Sequence, residues 1–163
     1  MPRDYAVGAL AFRRDRTAIA APIVHQYNGR MIDTGELYLA KAQASLSGAR
    51  SELEQHRFDN AANRAYYASF QAAVAALIWV GLRPPGGAST WDHGFVQARF
   101  VGDLINRRKQ YASDLRDTLS AAMRQRHKAD YQYDNVTADQ AIRMVRRATR
   151  FVEEVESKRR EQP

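Results

Sequence analysis

The stretch FDNAANRAYYASFQAAVAALIWVGL, residues 58–82, decides the fold of this chain. We expect it to form one helix that is capped by Asp59, a residue type that often caps helices, and that ends at Gly81, which suits a left-handed helix end. Between them, Tyr66, Phe70 and further apolar residues share one helical face. That face is wider than one packing seam requires. It predicts a helix that contacts a second subunit as well as the core.

The remaining sequence predicts a single helical domain. No strand-like alternation of useful length follows residue 31, whereas helical apolar spacing recurs after it. Further helices are expected over residues 34–56, 93–109, 113–131 and from 137 onward. The fold class is therefore all-α, an antiparallel four- to five-helix bundle. We place the bundle at residues 31–157, between an N-terminal arm or extension (1–30) and a charged tail (158–163).

Apolar spacing also predicts the inner faces of the first and last helices. Leu39, Leu46 and Leu53 recur every seven residues of the first, so we expect its seam to end at a buried His56. A capping box is expected at Thr137. The inner seam after it is expected to comprise Ile142, Val145, Thr149 and Val152.

Composition restricts the chemistry. The chain of 163 residues has no cysteine, which excludes disulfides, thiolate nucleophiles and zinc–thiolate sites and favours a cytoplasmic protein. Its net charge of +7 favours a polyanion such as a nucleic acid; the alternatives are a protein that merely happens to be basic and one whose partner is acidic. The longest strongly apolar stretch, residues 72–82, is too short to cross a membrane. No metal-ligand cluster or phosphate-cradling glycine loop is present in the sequence, so neither metal nor cofactor is expected.

The predicted fourth helix carries the candidate chemistry. Arg126 and Asp130 continue its apolar face, either as a mutual salt bridge or as a polar site at the bundle mouth or dimer seam. On the adjacent face, His127 lies with Arg124 and Tyr131. Histidine beside arginine has the parts for metal-free RNA cleavage. A solvated basic helix end that offsets the helix dipole is the alternative.

Three other groups have two interpretations each. His93 opens the predicted third helix, either as a packing residue near its cap or as a second histidine of the site. Tyr66 and Tyr67 fit the core and an interface better than catalysis. Arg50 and His56 match an arginine–histidine spacing of ribonucleases, but their place in the seam favours coincidence.

Two motifs together resemble the HEPN domain family over residues 31–157. They are the pattern AxNRAYYASFQAA at residues 61–73 and the segment RHKADY at residues 126–131, with His93 between them and a final helix opening at Thr137. The resemblance implies a helical bundle that usually forms a symmetric homodimer. It also implies a partner encoded nearby, often an MNT-type nucleotidyltransferase that silences the HEPN toxin by attaching adenylate to a tyrosine. Many members are metal-independent endoribonucleases.

The resemblance also implies site residues. Active members carry an arginine, four to six residues, then a histidine; here aspartate stands where that histidine is expected, as in the Arg…Asp-Tyr subgroup. The implied catalytic residues are Arg126, Asp130, His127 and Tyr131. The implied RNA-binding residues are Arg124, Lys128 and His93. Tyr131, with Tyr133 in reserve, is the implied acceptor of adenylate.

These features lead to three functional hypotheses. The leading one is a dimeric HEPN protein of a toxin–antitoxin or defence pair that acts on or binds RNA. The second is a non-enzymatic module that docks the nucleotidyltransferase through the wide face of the helix over residues 58–82. The third is a plain nucleic-acid-binding bundle that uses an arginine-rich face of the last helix. That face comprises Arg143, Arg146, Arg147 and Arg150.

Overall fold

The computed structural model describes residues 24–27, 30–88, 90–131 and 135–161, with all their side chains except those of residues 24–27, 30–32 and 128–131. Within these ranges the α-helices are α1 (Thr34–Glu54), α2 (Phe58–Trp79), α3 (His93–Arg99), α4 (Thr118–Tyr131) and α5 (Ala138–Arg160). A π-helical segment, Phe100–Arg107, continues α3. The all-α bundle predicted from the sequence is confirmed. None of these helices is long and apolar enough to cross a membrane in the part of the chain described.

The centre of the bundle is α2. It packs chiefly against α1, α4 and α5, with smaller contacts to α3. Every residue from Ala72 to Ile78 is buried. The middle of the wide apolar face is therefore covered within one chain by four neighbouring helices, whereas Tyr67, Phe70 and Val80 are half-buried. The expectation that this face also serves a second subunit or a partner stays a prediction.

Side-chain caps begin three of the helices. The carboxylate of Asp33 accepts a hydrogen bond from the Gly35 amide at the start of α1 (2.7 Å). The predicted capping box at Thr137 opens α5, with Gln140 as its reciprocal partner. Asp92 caps α3. After α2, Gly81 adopts a φ of 80°, as its predicted role at the helix end requires.

The prediction that Asp59 caps α2 is wrong. The N-cap of α2 is Arg57, which makes no side-chain cap bond. The Asp59 carboxylate instead accepts a hydrogen bond from the Val136 amide, 2.7 Å away, just before α5. A long-range bond thus uses the carboxylate that a local cap would have used, and it fastens the entry of α5 to the start of α2.

Two predicted seam positions are also wrong. Ile142 is 48% exposed, because the buried stripe of α5 begins one residue earlier. That stripe comprises Ala141, Met144, Val145, Ala148, Phe151, Val152 and Val155. His56 is exposed rather than buried, since α1 ends before it and the residue takes a φ of 58° in the turn to α2. Its ring meets that of Phe58 edge-on at 5.9 Å.

A short hairpin precedes the bundle. Strands β1 (Val24–Tyr27) and β2 (Arg30–Asp33) pair antiparallel, with Val24 opposite Asp33. Because β2 runs directly into α1, the last residue of the hairpin is also the helix cap. The division of the chain into arm, bundle and tail stays a prediction.

Candidate functional site

The site begins with the way α4 lies on α2. Leu119 is buried and Met123 half-buried against the core, and Arg126 follows on the same face. The guanidinium carbon of Arg126 lies 5.4 Å from the ring centre of Tyr66 and 5.2 Å from that of Tyr67. Both distances suit cation–π contacts. The inward position predicted for Arg126 is confirmed, and the tyrosine pair of α2 receives it.

A histidine from α3 joins the same group. The hydroxyl group of Tyr66 is hydrogen-bonded to Nδ1 of His93. Asp92 caps α3 by accepting a hydrogen bond from the Phe95 amide (2.8 Å), and this places His93 in the first turn. The His93 ring also packs on Phe70 at 4.5 Å between ring centres. Three helices thus meet at an Arg–Tyr–His cluster, which we define as Arg126, Tyr66, Tyr67 and His93.

The electrostatics of the cluster follow from its burial. Burial raises the pKa of Tyr66 to about 12, although the positive charge of Arg126 partly opposes the shift. Burial and then the charge of Arg126 lower the pKa of His93, and the carboxylate of Asp92 partly opposes them. Both groups are therefore neutral near pH 7. Since Nδ1 of His93 is bonded to Tyr66, Nε2 is the ring nitrogen that remains for any further hydrogen bond.

Two spaces adjoin the cluster. A cavity of about 110 Å³ lies beside Tyr66 and His93, between α2, α3 and α4, and Phe70 and Met123 are also in its wall. A polar cleft of about 430 Å³ lies on the side of Tyr67. That cleft is lined by Ser45, Glu52, Asn60, Asn63, Arg64, Tyr67 and Gln71. Arg126 contacts Tyr66, which lines the aromatic cavity, and Tyr67, which lines the polar cleft.

The predicted site residues are only partly brought together. Of those whose side chains are described, Arg126 and His93 join the cluster, whereas Arg124 and His127 are exposed on α4. Lys128, Asp130 and Tyr131 belong to α4, but their side chains lie outside the described part, as does all of Tyr133. Sequence reasoning missed Tyr66 and Tyr67 as the partners of Arg126. The available signal was the tyrosine pair at residues 66 and 67 within the motif of α2.

Comparison with known proteins gives the family. The sequence profile described as the HEPN domain matches residues 36–158. The chain is also similar to a protein of Methanocaldococcus jannaschii named "Putative toxin MJ0605". The two are 27% identical over 117 residues, which cover 70% of this chain and 80% of the relative. The profile spans α1 to α5, the helices that build both the core and the Arg–Tyr–His cluster. This chain therefore belongs to the HEPN domain family.

Proposed function

We propose that this protein is the toxin-side, homodimeric member of a toxin–antitoxin or defence pair, and that it cleaves RNA without a metal ion. The family, the name of the M. jannaschii relative and the net charge of +7 support this proposal. The observation that carries it is the Arg–Tyr–His cluster, in which the Arg126 guanidinium lies against the ring of Tyr66 and the neutral imidazole of His93 is hydrogen-bonded to the hydroxyl of that tyrosine.

In the proposed reaction, Arg126 binds the scissile phosphate and stabilises its charge in the transition state. A histidine takes the proton of the ribose 2′-hydroxyl as that oxygen bonds to phosphorus. The bond from phosphorus to the 5′-oxygen breaks, which gives a 2′,3′-cyclic phosphate. The leaving oxygen takes a proton from water, and the protonated histidine returns its proton to the hydroxide that forms. His127 on α4 lies near, but out of register with, the motif position that Asp130 occupies, while the contacts of Tyr66 with both Arg126 and His93 favour His93 as the proton carrier. Asp130 orients Arg126 in this scheme.

The experiment is cleavage of end-labelled cellular RNA in the presence of a chelator. We expect Arg126→Ala to lower the rate about 10- to 100-fold, the usual effect of losing a hydrogen bond to a charged group. Arg126→Lys should restore only part of the cleavage rate, because lysine lacks the planar guanidinium group that binds two phosphate oxygens at once. Arg108→Ala, at an exposed arginine after the π-helical segment, is the matched control. His93→Ala and His127→Ala identify the proton carrier. An Arg126→Ala protein with full RNA affinity and full toxicity would overturn the proposal.

A second candidate function is a non-enzymatic module that docks the MNT-type nucleotidyltransferase. An exposed groove of about 400 Å³ between the start of α1 and the segment before α3 favours it. Its apolar wall comprises Leu37, Tyr38, Ile78, Pro84 and Trp91, with Lys41 and Arg83 at its edge. This groove is an alternative to the wide face of α2 as the docking surface. In either function, Tyr131 is the proposed acceptor of adenylate and Tyr133 the reserve.

The docking function predicts a stable complex with the transferase and no RNA turnover. Trp91→Ala should weaken that complex while leaving helical content unchanged. Arg126→Ala should leave it intact, because Arg126 does not line the groove. A wild-type chain that fails to bind the transferase in size-exclusion chromatography would exclude this function.

A further inference from the structure

A second polar cavity lies on a different face of α4 from the Arg–Tyr–His cluster. It has a volume of about 140 Å³ and is enclosed by α2, α4 and α5. It is lined by Ser69, Thr118, Ala121, Ala122, Gln125, Gln140, Arg143, Met144 and Arg147. Ser69 is fully buried and Thr118 is 6% exposed, so the floor of the cavity is polar but shielded.

The charge of this cavity is positive and uncompensated. Arg143 and Arg147 are one turn apart on α5, and no carboxylate shares the wall with them. Neither arginine forms an ion pair with any described residue, whereas Arg150 on the same helix pairs with Asp114 at 2.6 Å. Two guanidinium groups at the rim of a partly enclosed space attract an anion more strongly than an open surface does. Their planar donors match the oxygens of a phosphate.

The polar floor of the cavity adds a second requirement for a ligand, which is a hydrogen-bond donor. The buried Oε1 atom of Gln125 accepts no hydrogen bond from the described residues. An unpartnered buried acceptor destabilises the folded protein, and a ligand that also carries a hydroxyl group would satisfy it. A phosphate ester of a sugar offers both phosphate oxygens and a hydroxyl. At about 140 Å³ the cavity is below the usual range of roughly 300–1,000 Å³ for whole small molecules. It therefore suits one phosphoryl group, with the remainder of the ligand outside.

We propose that the cavity between α2, α4 and α5 is a phosphate-ester site, with Arg143 and Arg147 binding the phosphate oxygens and Gln125 facing a hydroxyl. The ester is either the phosphodiester of an RNA strand or the terminal phosphate of a free ribonucleotide. The site does not depend on the function proposed for the Arg–Tyr–His cluster, since the two share no lining residue.

The test is calorimetric binding at low salt with two probes: adenosine 5′-monophosphate and a single-stranded oligoadenylate RNA without a terminal phosphate. We expect at least one probe to bind, and Arg147→Ala to raise its Kd about tenfold or more. Gln125→Leu should weaken the same probe. Arg146→Ala is the matched control for general charge, because Arg146 is exposed on the same helix but does not line the cavity. Its effect should be clearly smaller.

The results distinguish a free nucleotide from an RNA strand as the ligand, and they test this site separately from the Arg–Tyr–His cluster. Binding of the monophosphate alone assigns a free nucleotide, and binding of the oligonucleotide assigns a strand; both support the site. Arg126→Ala should leave monophosphate binding unchanged even where it abolishes RNA cleavage, so the two proposals fail independently. Equal losses in Arg147→Ala and Arg146→Ala, or no binding of either probe to the folded wild-type chain, would overturn the phosphate-ester site.

Discussion

The guanidinium carbon of Arg126 lies 5.2 Å from the centre of the Tyr67 ring, on a helix that meets α4 only through tertiary packing. The ring centre of Tyr66 lies 5.4 Å from the same carbon and 5.4 Å from the ring centre of Tyr67, so both rings approach the cation from one side. Two adjacent aromatic residues thus position one positive charge at the contact between α2 and α4. The position of Arg126 is set by α2 as much as by its own helix.

This contact should be measurable as a coupling energy. We expect a double-mutant cycle of Tyr67→Leu and Arg126→Met to give about 0.5–2 kcal/mol, the usual range for a cation–π contact. Urea denaturation of the four proteins supplies the values. A cycle of Tyr67→Leu with Arg108→Met, whose side chain is exposed elsewhere on the chain, should give a coupling energy near zero.

Stability should fall in mild acid because of His93. Its pKa is lower in the folded protein than the ordinary value of 6.5, so the unfolded chain binds the extra proton first. The contribution of His93 to the free energy of unfolding is therefore complete above about pH 6.5. It is lost as the pH falls through that value towards the pKa of His93 in the folded protein. Urea denaturation of wild type and His93→Gln between pH 5 and 8 checks this. The variant should show a shallower decline, whereas His56→Gln, at an exposed histidine, should follow the wild type.

The hydroxyl of Tyr66 should control the chemistry of His93. Tyr66→Phe removes the hydrogen bond to Nδ1 and leaves this nitrogen without its partner, at a cost of about 1–3 kcal/mol. The imidazole resonances of His93 in a proton–nitrogen NMR spectrum should shift, and those of His127 should not. Unchanged His93 resonances would contradict the coupling.

Two glycines of α1 should respond in opposite directions to alanine. A β-carbon at Gly35 would lie 2.3 Å from Nε1 of Trp79, so Gly35→Ala should destabilise by about 1–3 kcal/mol. At Gly48 the nearest atom, in the side chain of Arg64, is 3.5 Å away. Gly48→Ala should therefore stabilise by up to about 1 kcal/mol through helix propensity. Thermal denaturation of both variants distinguishes these outcomes.

Asp59 should matter more than an ordinary acid in the first turn of a helix. Asp59→Ala leaves the Val136 amide without its acceptor, and we expect a loss of about 1–3 kcal/mol. Asp139→Ala provides the comparison, because it also removes an acid from a first turn but makes no such bond. Its effect should stay near the roughly 0.3–1 kcal/mol of a helix-dipole interaction. Hydrogen exchange of the Val136 amide would show directly whether the bond is lost.

Local patterns predicted the helices well and their long-range partners poorly. The capping box at Thr137 and the inward side of Arg126 depend on residues within one or two turns, and both were correct. The bond between Asp59 and Val136 depends on how two distant segments meet, and no spacing within one helix reveals it. The contact of His93 with Tyr66 is of the same kind.

The orientation of α5 about its own axis shows another limit of prediction from sequence. Ile142 fits a helical seam by its spacing, yet alanines at 141 and 148 face the core in its place. The surface of α2 is itself rich in alanine, so α5 approaches closely and small residues fill the contact. Hydrophobicity alone ranks isoleucine above alanine and cannot anticipate such a choice.

The central place of α2 has an evolutionary consequence. The helix that presents Tyr66 and Tyr67 is also the one that every other helix packs on, so a change in its sequence alters folding and site together. His93 and Arg126 reside on α3 and α4, each of which touches fewer neighbours. New chemistry in this scaffold can thus arise by exchanging residues on these two outer helices, while the tyrosine-bearing helix remains constrained by the stability of the whole domain.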